Sequence, residues 1–236
     1  MRPPIAALAL LLLPGTRPDA PPPSEPTAAY EARRVEGWPV LISSQLRDDP
    51  ALAAEVLKRL AAQLDQVARA VPAGPLAELR RVTIWLEVAE PHHPCIVYHP
   101  DTRWLADRAM NPAKARGVEV SNARNFLDWT KSQPWMVLHE LAHAYHHQFL
   151  TDGFDNAEVK AAYEASMAAG RYDKVLGGDG DERRAYAATD PMEYFAEASE
   201  AFFGTNDFYP FVRAELRRHD QAMDRLLSKC WKVDPR

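Results

Sequence analysis

The segment His139-Glu140-Leu141-Ala142-His143 limits the fold of this chain more tightly than any other. Apolar residues lie before it and between its ends. Residues four apart share a helix face, so on a helix His139 and His143 aim two imidazoles at one point. Glu140 sits one step round, where its carboxylate reaches a water held at that point. Two nitrogen donors beside a carboxylate at this spacing suit a divalent metal and general-base chemistry. The helix is expected from Pro134 to about Phe149.

A catalytic zinc takes three protein ligands and keeps a fourth position open. Residues 189–204 offer the missing ligand on a second helix. Asp190 suits its N-cap, Pro191 its first position and Gly204 its C-terminal stop. Glu193 and Glu197 are four apart, on one face bordered by Phe195, Ala196 and Phe202. Carboxylates against an apolar surface need a cation or hydrogen-bond donors to offset their desolvation. Glu193 is therefore the expected third ligand of a single Zn2+. Glu197 is the expected outer partner that orients a ligand histidine, His139.

These two helices resemble those of the gluzincin peptidases, most closely the catalytic domain of the anthrax-lethal-factor-like metallopeptidases. The resemblance rests on residues 137–147 and 186–203, with Tyr186 seven residues ahead of Glu193. It implies a zincin-like α+β fold: a small mixed sheet, an active-site helix with the H-E-x-x-H motif, and a mainly helical C-terminal half. It implies peptide or protein substrates hydrolysed by a metal-activated water, with Glu140 as base and Tyr186 stabilising the oxyanion. It also implies an edge strand that pairs with the substrate backbone, assigned to Val118, Glu119, Val120 and Ser121 just ahead of the metal helix. His146 and His147 lie on the same helix and are read as surface or helix-end residues. The metzincin pattern is excluded, since it needs Gly at 146 and His at 149, where this chain has His and Phe. A non-catalytic binding protein that keeps the fold is the alternative.

The N-terminus reads as a leader over residues 1–27. One basic residue and an apolar run over residues 5–13 fit a secretory signal peptide, too short for a bilayer span of about 20 residues. Export is the expected localisation. Residues 28–236 read as a single domain. Net charge is −5 with no basic stripe, so no nucleic-acid partner is expected. Cys95 and Cys230 are free either to pair or to stay as thiols.

Local patterns add strands over residues 30–35 and 40–43 about a Glu36-Gly37 turn, and over 81–90 and 95–98. Helices are expected from Asp49-Pro50 to Pro72, over 101–110, 122–129 and 156–169, and as one stretch over 211–227. His92, His93 and His99 fall among prolines and are expected as exposed loop residues. Residues 177–181 read as a mobile acidic flap that carries Tyr186, and Asp207 as a candidate outer partner of the metal site.

Overall fold

Residues 31–42 run from a mostly polar segment through Glu36-Gly37 into the apolar segment Trp38–Ile42, where burial alternates along the chain, and they fold as a hairpin. In the computed structural model, which describes residues 24–233, β1 (Glu31–Val35) pairs antiparallel with β2 (Trp38–Ile42). Glu36 and Gly37 take φ of 49° and 94°, the left-handed pair that closes a two-residue hairpin with the native twist. β3 (Ile84–Leu86), β4 (Ile96–Tyr98) and β5 (Val118–Val120) complete a five-stranded mixed sheet in the order β1-β2-β3-β5-β4. β2, β3 and β5 run parallel to one another, and β4 closes the sheet antiparallel to β5. Every residue of β3 and β5 is buried, as befits central strands covered on both faces.

Ten helices occur among the described residues. α1 (Ser44–Arg47), α2 (Pro50–Ala70), α3 (Ala73–Leu79), α4 (Thr102–Ala106) and α5 (Ala123–Trp129) lie among the strands. α6 (Met136–Phe149), α7 (Ala157–Ala168), α8 (Pro191–Phe203), α9 (Arg213–His219) and α10 (Gln221–Cys230) form the C-terminal half. A short hairpin, β6 (Val175–Leu176) and β7 (Glu182–Arg183), precedes α8. In α2 the stripe Leu52, Val56, Leu60, Leu64 and Val67 is buried, and the Asp49 side chain accepts the Leu52 N–H. α2 packs on α5 and α6, and α6 packs beneath β4. No described helix is long and apolar enough to cross a membrane.

Several elements differ from the expected ones. The strand of residues 81–90 contracts to Ile84–Leu86. α2 ends at Ala70, just before Pro72 as expected, but a further helix, α3, that was not expected starts directly after that proline. The helical stretch 211–227 breaks at Asp220, whose buried carboxylate accepts the Met223 N–H and the hydroxyls of Ser166 and Tyr194. Most of the expected leader lies outside the described residues. Its last part, residues 24–27, belongs to the folded body: Glu25 accepts the Ser44 N–H, and Asn111 donates to the Glu25 carbonyl and to Thr27.

The residue that follows α8, Gly204, is a glycine for a reason of space. Its φ is −154°, within the range of any residue. A Cβ there would stand 1.9 Å from Cε2 of Trp135, the residue that opens α6. The end of α8 and the start of α6 are thus fitted to each other. Gly204→Ala is expected to cost about 1–3 kcal/mol through overpacking, read as a lower denaturation midpoint; an unchanged midpoint would show that the Trp135 ring is free to move aside.

Candidate metal centre

α6 is an unusual helix for its chemistry. Val137, Leu138, Leu141, Ala142, Ala144 and Tyr145 are all buried, so it is gripped on several sides. His139 and His143 share the remaining face and line a cavity of about 630 Å3. α8 is gripped likewise by Tyr194, Phe195, Ala196 and Phe202. Its first turn is fixed by Asp190, which accepts the N–H groups of Met192 and Glu193. That cap sets where the Glu193 side chain starts.

The two helices bring three donor atoms together. Nε2 of His139 lies 3.1 Å from Nε2 of His143 and 3.0 Å from Oε2 of Glu193, and His143 Nε2 lies 3.3 Å from the same oxygen. Metal–ligand bonds of about 2.0–2.1 Å in a tetrahedron set donor atoms about 3.3 Å apart. The observed triangle has that size. Two imidazole nitrogens and a carboxylate oxygen converge, an arrangement that could hold a cation at their centre. These donor types at these separations are ones that could hold a divalent metal ion such as zinc. Burial alone would raise the Glu193 pKa. The hydrogen bonds and positive charge of His139 and His143 outweigh it and hold the carboxyl well below its usual range.

Glu140 also lines the cavity, and its Oε2 accepts the backbone N–H of Tyr98 at 2.7 Å. Burial raises its pKa, against the opposing pull of His139 and His143. The Glu140 carboxylate is thus held by β4. Tyr186 opens a short turn before α8 and donates its hydroxyl to Glu193 Oε1 at 3.2 Å. Its ring stacks near His139, and 47% of the residue is exposed. Burial, then the Glu193 charge, push its pKa up to about 12, so the hydroxyl keeps its proton at neutral pH.

The outer partner of His139 is a correction. Nδ1 of His139 donates to Glu200 Oε1 at 2.8 Å, whereas the nearest oxygen of the expected residue, Glu197, stands at 3.7 Å. Glu197 instead accepts from Asn206 at 3.2 Å. Seven residues beyond Glu193 lie on nearly the same helix face as four, so periodicity alone does not choose between the two glutamates. Burial raises the pKa of both acids. Asp207 lines the cavity, but it meets Gln133 and makes no bond to a ligand histidine.

The substrate strand is also reassigned. Val118, Glu119 and Val120 sit between β3 and β4, so both of their backbone edges are already paired. Ser121 is buried, and its N–H is taken by the Cys95 carbonyl. The Glu119 side chain is committed inside the protein to Lys114 at 2.6 Å and to His99. The sheet edge that lies on the cavity is β4. Cys95 and His99 bond inward to the β5 side, which turns the backbone groups of Ile96 and Tyr98 toward the cavity.

The other expectations divide. His99 is buried on Glu119, contrary to an exposed loop residue, and His146 is buried between Phe154 and Phe195 rather than at the surface. The hairpin around residues 177–181 is tied down by Gly178 N–H to Asp207 O and Tyr209 N–H to Leu176 O, at 2.7 and 2.8 Å, so it is no free flap. Cys95 and Cys230 are unpaired thiols.

Burial pushes the His146 pKa down to about 3. As pH falls below about 6.5, the unfolded chain takes up this proton first, so stability is full above that pH and lost toward pH 3. His146→Leu is expected to flatten the stability–pH curve between pH 6 and 4 by up to about 1.4 kcal/mol per unit; an equally steep curve would place that proton elsewhere. Glu193→Ala is expected to lose zinc outright. Glu200→Gln is expected to weaken zinc binding by about 10–100-fold, and more than Glu197→Gln does, measured by competition with a chelator. The reverse ranking would restore Glu197 as the orienting carboxylate. No family model, no curated protein and no solved structure matches the chain.

Proposed function

We propose that this chain is a zinc-dependent endopeptidase of gluzincin type with a zincin-like arrangement of sheet and active-site helices. One observation carries the reading: His139, His143 and Glu193 meet on the wall of an open cavity with Glu140 and Tyr186 beside them. A structural zinc is usually closed by four ligands and favours Cys. Here the donors are three, and the residues next to them have the chemistry of a base and an acid.

Zinc bound there supplies Lewis acidity for attack of water on a peptide carbonyl. Glu140 accepts the proton of that water and passes it to the leaving amine. Its bond to the Tyr98 amide keeps the carboxylate turned toward the cavity. Tyr186, protonated at neutral pH, gives a hydrogen bond to the oxyanion from the opposite side. Glu200 fixes the tautomer and tilt of His139. An extended peptide adds to the outer edge of β4, taking backbone bonds at Ile96 and at the Tyr98 carbonyl, since the Tyr98 N–H is held by Glu140. The apolar run at residues 5–13 adds export to this reading.

The test is hydrolysis of a mixed peptide library by the zinc-loaded chain, stopped by a chelator. Glu140→Gln is expected to keep its zinc and lose about 10²–10⁴-fold in kcat. Tyr186→Phe is expected to lose about 10²–10³-fold in kcat with little change in KM. A Glu140→Gln rate equal to wild type would remove Glu140 as the base, and a library left intact would remove the peptidase reading.

A further inference from the structure

His93 and His99 bracket β4, one on the loop before it and the other directly after it. Neither belongs to the centre on α6 and α8. His99 is wholly buried; its Nε2 is bonded to Glu119, while its Nδ1 is buried without a hydrogen-bond partner. His93 is half-buried on the wall of the cavity, and its Nε2 is likewise buried without a partner. The two rings are neighbours, with centroids 5.7 Å apart and planes at 65°. Trp104 lies against both, stacked on His93 at 5.0 Å and tilted to His99 at 5.5 Å.

A buried polar atom left without a partner costs about 1–3 kcal/mol, and here two lie on adjacent rings. The cations nearby are engaged elsewhere. Lys114 is bonded to Glu87 at 2.7 Å and to Glu119 at 2.6 Å, and Arg108 lies over the Trp104 ring at 3.9 Å. In neutral His99, a proton on Nε2 given to Glu119 leaves Nδ1 with a bare lone pair. Burial, then the neighbouring His99, hold the His93 pKa down, so this ring too offers a lone pair at neutral pH.

A metal ion answers two such lone pairs at once. Nitrogens 2.0–2.1 Å from one ion in a tetrahedron set imidazole centres about 5–6 Å apart, the spacing of this pair. A carboxylate on the other ring nitrogen is the usual outer partner of a metal-bound histidine, and Glu119 holds that place on His99. No other histidine, cysteine or acid among the described residues joins this pair as a third donor, so water would fill the remaining positions.

We infer that His93 Nε2 and His99 Nδ1 hold a second divalent ion, of the imidazole-binding class of zinc, nickel and copper. The ion ties the loop before β4 to the residue after it, and so clips both ends of the strand that lies on the cavity. With two protein ligands against three, it binds more weakly than the ion on α6 and α8 and fills after it. The inference does not use the peptidase reading.

The experiment counts zinc bound by the full chain in equilibrium dialysis against excess zinc, and repeats the count with nickel. Wild type is expected to hold two equivalents, the second about tenfold or more weakly than the first. Glu193→Ala and His93→Phe are each expected to hold one, and the double variant none. Glu119→Gln is expected to weaken the second equivalent by about 10–100-fold, and His92→Ala, at the exposed neighbour, to leave it intact. His99→Ala would strip a buried carboxylate of its partner, so His93→Phe, at a half-buried loop position, carries the test. One equivalent in wild type that disappears with Glu193→Ala overturns the inference and leaves the centre on α6 and α8 standing. One equivalent that survives Glu193→Ala and disappears with His93→Phe supports the inference and removes that centre. A second equivalent untouched by His93→Phe is adventitious and overturns the inference.

Discussion

The contact between α6 and α8 is the interaction on which the rest depends. The ligand triangle is made of one atom from each of three side chains on two helices. Its edges of 3.0, 3.1 and 3.3 Å survive only if those helices keep their spacing. Burial around both helices does this. Tyr145 of α6 stacks on Trp231 after α10 at 4.1 Å, and Trp231 also stacks near Phe195 of α8. Gly204 lets the Trp135 ring close the other end. Close-packed interiors tolerate little displacement, so a centre hung between two such helices is already formed before any ligand arrives.

The sheet does the second half of the positioning. β4 lies over α6, and its Tyr98 amide holds the Glu140 carboxylate. The same strand presents its outer backbone edge to the cavity. The Glu140 carboxylate of α6 is therefore braced by the strand whose outer edge faces the cavity. β4 is itself fixed by β5 and by the buried His99–Glu119–Lys114 group beneath it. That group explains an apparent waste: a glutamate in the centre of a sheet, kept charged at a low pKa despite its burial by His99 and Lys114.

What could be read from the residues alone was what is local. The shared face of His139 and His143, the place of Glu140 beside it, the cap at Asp190 and the Glu36-Gly37 turn are set by spacings of a few residues, and helix and turn geometry is the same in every fold. The assignments that needed neighbours distant in sequence went differently. Glu197 and Glu200 project from one face of α8, and the choice between them is made by where α6 crosses it. β5 is third in space to β2 and β3 although it follows β4 in the chain, an order that no pattern within Val118–Val120 could reveal. His99 and His146 looked like polar residues near ends and prolines; one pairs with a glutamate twenty residues on, and the other is enclosed by aromatic rings from the segments that fold back over it. Apolar residues at helical spacing from His146, namely Ala142, Phe149 and Leu150, were the available sign, and they were outweighed by the polarity of the side chain.

The most direct measurement is an anomalous diffraction map of zinc-soaked crystals recorded at the zinc edge. The account predicts one strong peak about 2.0–2.2 Å from His139 Nε2, His143 Nε2 and a Glu193 oxygen, with the side toward the cavity open. A peak seated elsewhere, or none at one equivalent of zinc, would contradict it.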